Sequence, residues 1–200
     1  MLVPPAVAKV RQARSMSGGP SAGFSLVEVL IVLAIAGVLA AMAMYTGSAL
    51  MRRERANAVV MGLYGWLNEV RQTALRLQGS GCTVSLESGT ITKGQTIASI
   101  DSEATPSCSE ILDAKAAFKL ERELTDGQSI QVATSADTVS FSPRTLSTNT
   151  SDLTIRVVVG GTTPLRCIKI AKISGFLQVG RNGASSSTAG SCTYTDIQPL

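Results

Sequence analysis

The segment Gly23–Tyr45 reads GFSLVEVLIVLAIAGVLAAMAMY, and Glu28 is its one charged residue. Such an apolar run predicts a helix, and at 1.5 Å per residue about 22 residues span the ~30 Å hydrocarbon core of a membrane. A carboxylate in the run costs roughly 2.5–3.5 kcal/mol at the bilayer centre on insertion scales, and less near the surface. Glu28 therefore needs a functional explanation with a named partner.

Two interpretations of this segment leave Glu28 unexplained. The first is a single-span anchor whose N-terminus is kept in the cytoplasm by basic residues that precede it, Lys9, Arg11 and Arg14. The second is a secretory signal, because the sequence at 41–43, Ala-Met-Ala, resembles the small-residue site of signal peptidase. Neither interpretation gives the carboxylate a partner.

A third interpretation supplies that partner. Cleavage after Gly23 gives Phe24 a free amine one helical turn from Glu28, and the two charges then offset each other where the dielectric constant is low. The stretch 23–30, GFSLVEVL, resembles the class III signal sequence of type IV pilins and type II secretion pseudopilins. This resemblance implies cleavage between Gly23 and Phe24 by a prepilin peptidase, N-methylation of Phe24, and a role for Glu28 in filament assembly.

The same resemblance implies a location and a set of partners. Before assembly the subunit is expected to cross the inner membrane once with a periplasmic head, and afterwards to enter a cell-surface pilus or a periplasmic pseudopilus. Its expected partners are the peptidase, a major pilin, other minor pilins or pseudopilins, the inner-membrane assembly platform and the membrane. The chain then divides into a basic leader at 1–23 that is removed, a transmembrane and filament-core helix at 24–50, an amphipathic continuation at 51–79 and a β-rich head at 80–200.

Beyond Tyr45 the sequence becomes amphipathic. Apolar residues recur at spacings of three and four, which is typical of a helix with one buried face. They are Ala56, Val59, Val60, Leu63, Trp66, Leu67, Val70, Ala74 and Leu77. The glycine-containing stretch 79–81 supplies a stop, so the sequence predicts one helix from Phe24 to Gln78.

From Cys82 onward the pattern changes to short β-like runs separated by polar connections. The runs are 83–87, 91–100, 129–133, 138–141, 153–159, 167–173 and 176–179, and 111–119 predicts a short helix. The predicted fold class is therefore α+β: a pilin-like fold in which the long N-terminal helix packs on an antiparallel β-sheet head.

The four cysteines predict disulfides rather than a metal site. Cys82, Cys108, Cys167 and Cys192 show no short paired spacing of the kind found in zinc knuckles or redox dithiols. An even number in a chain with an export-like N-terminus fits two disulfides, for which three pairings are possible. We favour the sequential pairing, because each bond then closes a short loop and stabilises by roughly 3–4 kcal/mol in the chain-entropy model.

The composition argues against catalysis. The chain has no histidine, which excludes histidine-based triads, bases and metal ligands. It also lacks a G-x-S-x-G nucleophile elbow. We therefore expect no enzymatic activity and no metal or cofactor.

Within the pilin-like group, the C-terminal half resembles the GspH/FimT class, in which a strand leads through a short turn to a Gly-Arg pair. The corresponding stretch here is 167–181, ending in Gly180-Arg181. Some FimT-like minor pilins are associated with DNA capture through a second arginine two positions later, where this chain has Gly183. As an alternative function we consider DNA uptake through bases gathered on one strand face: Arg181, Lys169 and Lys172, with Arg166 and Arg144.

Overall fold

The computed structural model describes residues 25–77, 81–120, 129–143, 151–160 and 164–194. The chain forms two compact units, Met1–Met44 and Tyr45–Leu200. Gly23 and Phe24, the predicted cleavage and methylation site, lie outside the described residues, as do Gln78 and Arg144.

Helix α1 (Leu26–Arg76) is continuous across the predicted helical segment. It starts after Ser25, whose carbonyl oxygen accepts hydrogen bonds from the backbone N–H groups of Glu28 and Val29 at 3.0 and 3.2 Å. In the first unit its large apolar side chains are exposed: Leu26, Val27, Val29, Leu30, Ile31, Val32, Leu33, Ile35, Val38, Leu39 and Met42. None of the helices in the described part of the chain is long and apolar enough to cross a membrane.

The second unit continues α1 into a β-rich head. The strands are β1 (Cys82–Leu86), β2 (Gly89–Ile91), β3 (Thr96–Ile100), β4 (Ala117–Lys119), β5 (Ile130–Thr134), β6 (Thr138–Phe141), β7 (Leu153–Val159), β8 (Leu165–Ile170), β9 (Leu177–Asn182) and β10 (Thr193–Tyr194), with helix α2 (Pro106–Leu112) between β3 and β4. They form two antiparallel sheets, in the orders β4-β3-β1-β6 and β10-β9-β8-β7-β5-β2. The predicted α+β class is confirmed.

Two of the predicted elements are wrong in extent. The single run expected at 91–100 is two strands, because the backbone turns at Gly94, whose φ of +84° suits glycine. The helix expected at 111–119 lies earlier, at Pro106–Leu112, and is followed by a 3₁₀ turn at Asp113–Lys115. The remaining residues, Ala117–Lys119, pair with β3 instead, so tertiary pairing overrides local helix preference there.

The core of the head is one apolar cluster to which α1 and both sheets contribute. The buried face of α1 consists of Ala56, Val59, Val60, Leu63, Trp66, Leu67, Val70 and Ala74, all of which the amphipathic pattern predicted. The Trp66 indole Nε1 donates a 2.7 Å hydrogen bond to the Lys115 carbonyl oxygen, and its ring centroid lies 6.3 Å from that of Phe118. Burying each large apolar side chain contributes roughly 1.5–3 kcal/mol, so this face holds the helix to the sheets.

The six-stranded sheet has two covered faces. Its inner face carries the side chains that join the main core, such as Ile155, Ile168 and Leu177. Its outer face carries a second, smaller apolar cluster of Val158, Leu165 and Cys167, against which Cys192 and Tyr194 pack. Because successive side chains alternate between faces, the burial of nearly every residue of β8 follows from this double covering.

Candidate functional site

The structure contains two disulfides, in the sequential pairing that the sequence analysis favoured. Cys82 and Cys108 join β1 to α2 with a Cα–Cα distance of 5.5 Å. Cys167 and Cys192 join β8 to the segment before β10 with a Cα–Cα distance of 6.3 Å. No cluster of three or more potential metal ligands occurs in the ranges that the structure describes.

The bases considered for DNA binding do not form one face. Arg166 and Lys169 lie three positions apart on β8, so their side chains leave opposite faces of the sheet. Arg181 of β9 pairs directly with Arg166 and therefore shares the inner face with it. Lys172 follows β8 in a turn and Arg144 lies outside the described residues. Arg166 and Lys169 therefore do not share one face, which the strand register decides.

Lys169 forms an ion pair and a cation–π contact within its own chain. Its Nζ lies 2.8 Å from Asp152 Oδ2 and 5.7 Å from the ring centroid of Tyr194. The backbone N–H of Lys172 donates to Asp152 Oδ1 at 3.0 Å. The hydrogen bond from Lys169, followed by that from Lys172, lowers the pKa of Asp152, while the Asp152 carboxylate raises the pKa of Lys169. A phosphate group would have to compete with these partners for the ammonium.

Arg166 is buried, with 7% of its surface exposed. Its Nε and Nη1 have no hydrogen-bond partner among the residues that the structure describes. Burial is the main cause that lowers the pKa of Arg166, the positive charge of Arg181 lowers it further, and Glu54 of α1 acts in the opposite direction. Such a group is poorly placed for a nucleic-acid backbone. Of the described candidates on β8 and β9, Arg181 is the one classed as exposed.

Of the N-terminal candidate residues, Glu28 is the one that the structure describes. Glu28 lies in the first turn, where the backbone N–H groups give the helix end a partial positive charge that favours a carboxylate. Ser25 and Glu28 also have the spacing of a capping box, in which a serine before the helix and a glutamate three residues later satisfy helix-end N–H groups. Glu28 thus suits a helix start irrespective of any partner, a point that the sequence analysis missed although the Ser-x-x-Glu spacing could have shown it.

Residues 20–44 match the family model of the prokaryotic N-terminal methylation motif. The motif covers Gly23, Phe24 and Glu28 together with the apolar run that follows them. Comparisons with the curated proteins and with the solved structures give no match.

The methylation motif supports a type IV pilin-like subunit of pili or pseudopili. Chains with this prepilin-type signal are in general processed by a peptidase, anchored in a membrane and then assembled with other pilins. The fold agrees, because the long helix α1 begins within the motif and leads into an antiparallel β head. The role of the pilin-like class is structural rather than enzymatic.

One feature of the head escaped sequence reasoning: a segment that crosses the outer face of the six-stranded sheet between β9 and the end of β10. Two signals pointed to it, namely the serine-rich run at 185–187 and the pairing of Cys192 with Cys167. The end of this segment is held by the contact between Tyr194 and Gly180. This contact depends on strand register, so no local sequence pattern predicts it.

Proposed function

We propose that this chain is a minor pilin or pseudopilin of the GspH/FimT class, which enters the tip or priming complex of a type IV pilus or a type II secretion pseudopilus. The observation that carries the proposal is the methylation motif at 20–44, placed at the start of the 51-residue helix α1. The apolar side chains exposed on the first part of α1 are a surface that other subunits can cover.

The proposed pathway begins in the inner membrane. The leader at 1–23 is removed between Gly23 and Phe24, Phe24 is N-methylated, and residues 24–50 stay in the bilayer until the assembly platform extracts them. The head at 80–200 lies in the periplasm, where oxidising conditions suit its two disulfides. In the filament, Glu28 pairs with the N-terminal amine of a neighbouring subunit and thereby sets the axial register.

The test is the mature N-terminus. The full chain is expressed in a host with a prepilin peptidase and in one without it, recovered from membranes, and examined by N-terminal sequencing and intact mass. We expect a chain that begins at Phe24 and carries one added methyl group, in the first host alone. Gly23→Val should block processing, while Gly18→Val, a glycine change in the same leader, should not. A wild-type product that begins at Met44, or a wild-type chain that stays uncleaved in the host with the peptidase, would contradict the proposal.

The alternative of a DNA-receptor pilin has no observation in its favour. Lys169 is paired with Asp152, Arg166 is buried, and the position two residues after Arg181 is Gly183 rather than a second arginine. Of the described candidates on β8 and β9, this leaves Arg181 as the exposed base. The structural subunit is therefore the better proposal.

A further inference from the structure

We propose that residues 183–194, here called the C-terminal strap, close over the outer face of the six-stranded sheet only when Cys167 and Cys192 are oxidised, and that the dithiol form keeps a folded core with the strap open. This redox-dependent latch is independent of the proposed role in a filament. The proposal is based on the contacts between the strap and the sheet, and on the weakness of the noncovalent contacts compared with the disulfide.

The strap contacts the outer face at several points along β7, β8 and β9. The Leu165 backbone N–H donates to the Ser185 carbonyl oxygen at 3.0 Å, and Arg156 Nη1 donates to the Thr188 carbonyl oxygen at 3.3 Å. Asn182 Nδ2 donates to the carbonyl oxygen of Ser191, beside Cys192, at 2.7 Å. In the closed form, the disulfide to Cys167 therefore adds a covalent bond to a segment whose hydrogen bonds reach three strands.

The end of the strap is seated by β10. Tyr194 pairs with Gly180 and Thr193 with Arg181, so β10 covers part of the edge of β9. A Cβ on residue 180 would come within 2.6 Å of Tyr194 Cδ1, which shows that the ring occupies the space above that glycine. Lys169 Nζ lies 5.7 Å from the centroid of the same ring.

These contacts are weak compared with the ordering that they require. No residue of the strap is fully buried, and Cys192 and Tyr194 are only half-buried. Several of its hydrogen bonds to described residues join the strap to itself, and β10 is two residues long. Because fixing each backbone residue has a substantial entropic cost, contacts of this kind do not hold the strap without the covalent bond.

The two disulfides differ in their surroundings. Cys82 and Cys108 are both buried, with 1% and 0% of their surface exposed, and both belong to the main core cluster. Cys167 is also buried, but its partner Cys192 lies half-buried on the strap. A thiolate therefore gains access to the Cys167–Cys192 bond first.

The closing step is a thiol–disulfide exchange. The Cys167 and Cys192 thiols together give up two electrons and two protons to the disulfide of an oxidant protein, which leaves as a dithiol, and one S–S bond forms in the subunit. In the open form, Val158, Leu165 and the edge of β9 lose their cover. An uncovered strand edge and an exposed apolar patch favour association with other chains. The closed strap therefore lowers the tendency of the subunit to aggregate.

The experiment compares two matched pairs of substitutions in the full chain in detergent. In Cys167→Ser/Cys192→Ser we expect trypsin to cut after Arg181 and chymotrypsin after Tyr194 about tenfold faster or more, together with increased binding of an apolar-surface dye. The fluorescence of Trp66, the one tryptophan of the chain, should stay unchanged, because Trp66 lies in the main core. In Cys82→Ser/Cys108→Ser we expect the reverse: altered Trp66 emission and a strap that still resists cleavage.

A second measurement needs no substitution. The wild-type chain is titrated with a small dithiol, free thiols are alkylated, and the labelled cysteines are identified by mass. We expect Cys167 and Cys192 to be labelled first, with protease sensitivity of the strap appearing at the same step and Trp66 emission constant. If Cys82 and Cys108 are labelled first, if all four appear together with loss of Trp66 emission, or if the reduced strap resists protease, the latch is overturned.

Discussion

The Tyr194 ring lies directly over Gly180 of the neighbouring strand β9, so close that a Cβ on residue 180 would stand 2.6 Å from Tyr194 Cδ1 and 2.9 Å from the Thr193 carbonyl oxygen. The second of these atoms belongs to the backbone and cannot swing aside. Gly180, the glycine of the Gly-Arg pair, is therefore required by the packing of the C-terminal strand. This requirement explains its residue type without any reference to a ligand.

The first prediction concerns this contact. Gly180→Ala should destabilise the head by about 1–3 kcal/mol, the usual effect of overpacking, because Tyr194 and Thr193 must move. The measurement is the denaturant midpoint of the full chain. Gly183→Ala is the matched control, since a Cβ there meets nothing within 4 Å. Equal effects of the two substitutions would show that the close contact between residue 180 and Tyr194 does not affect the free energy of unfolding.

The second prediction concerns the buried face of α1. Leu67→Ala should lower the free energy of unfolding by about 2–5 kcal/mol, because it removes a fully buried side chain and leaves a cavity. Leu75→Ala, on the same helix but 41% exposed, should change it by less than about 1 kcal/mol. Chemical denaturation followed by Trp66 fluorescence checks both. A similar effect of the two changes would contradict the assignment of the buried face.

The third prediction concerns pH. The folded state lowers the pKa of Asp152, chiefly through the hydrogen bond from Lys169. Its contribution to stability is therefore present above the ordinary carboxyl pKa and is lost as pH falls through the lowered value. Asp152→Asn should be less stable than wild type at neutral pH, and the difference should shrink as pH falls below 3.8, the ordinary carboxyl pKa. Denaturant midpoints of both chains, measured from neutral to acidic pH, check this prediction. A stability difference that does not change with pH would show that the charge of Asp152 does not contribute to stability.

The fourth prediction separates two roles of Glu28. Glu28→Gln keeps the capping-box pattern, in which glutamine can replace glutamate, but removes the charge. We expect incorporation into filaments to fall by about tenfold or more, because the N-terminal amine then lacks its partner in a low-dielectric core. Incorporation is measured by quantifying the subunit in sheared filaments. Ser25→Ala, which removes the capping partner and keeps the charge of Glu28, should assemble nearly normally. If Glu28→Gln assembles as well as wild type, Glu28 is not the required partner of the N-terminal amine.

The fifth prediction concerns nucleic acid. Because Arg166 is buried and Lys169 is paired with Asp152, we expect the full chain to show no DNA retention that falls steeply with salt. Filter binding at low and high salt checks this, with Arg181→Gln alongside. Retention that declines steeply with salt and disappears in Arg181→Gln would restore the DNA-receptor alternative.

The hydrophobic periodicity of the sequence predicted the buried face of the helix and most of the strands. The spacing of Val59, Leu63 and Leu67 predicted the buried face of α1, because a helix places residues three and four apart on one side whatever they pack against. Most of the strands were predicted for a similar reason, since alternation has a fixed period. The helix predicted at 111–119 was wrong where pairing with β3 decides the outcome, and the unbroken run predicted at 91–100 was wrong because the backbone turns at Gly94.

The amino-acid sequence by itself determined the methylation motif, the long helix and the α+β class, because each depends on local order, composition or short spacing. It favoured the sequential pairing of the four cysteines, but the choice among three possible pairings was made by the tertiary structure. Tertiary structure alone decided that Arg166 and Arg181 share the inner face while Lys169 faces outward, and that Tyr194 rests on Gly180. The physical reason is strand register: shifting a strand by one residue exchanges its two faces, and register is set by contacts between residues far apart in the chain.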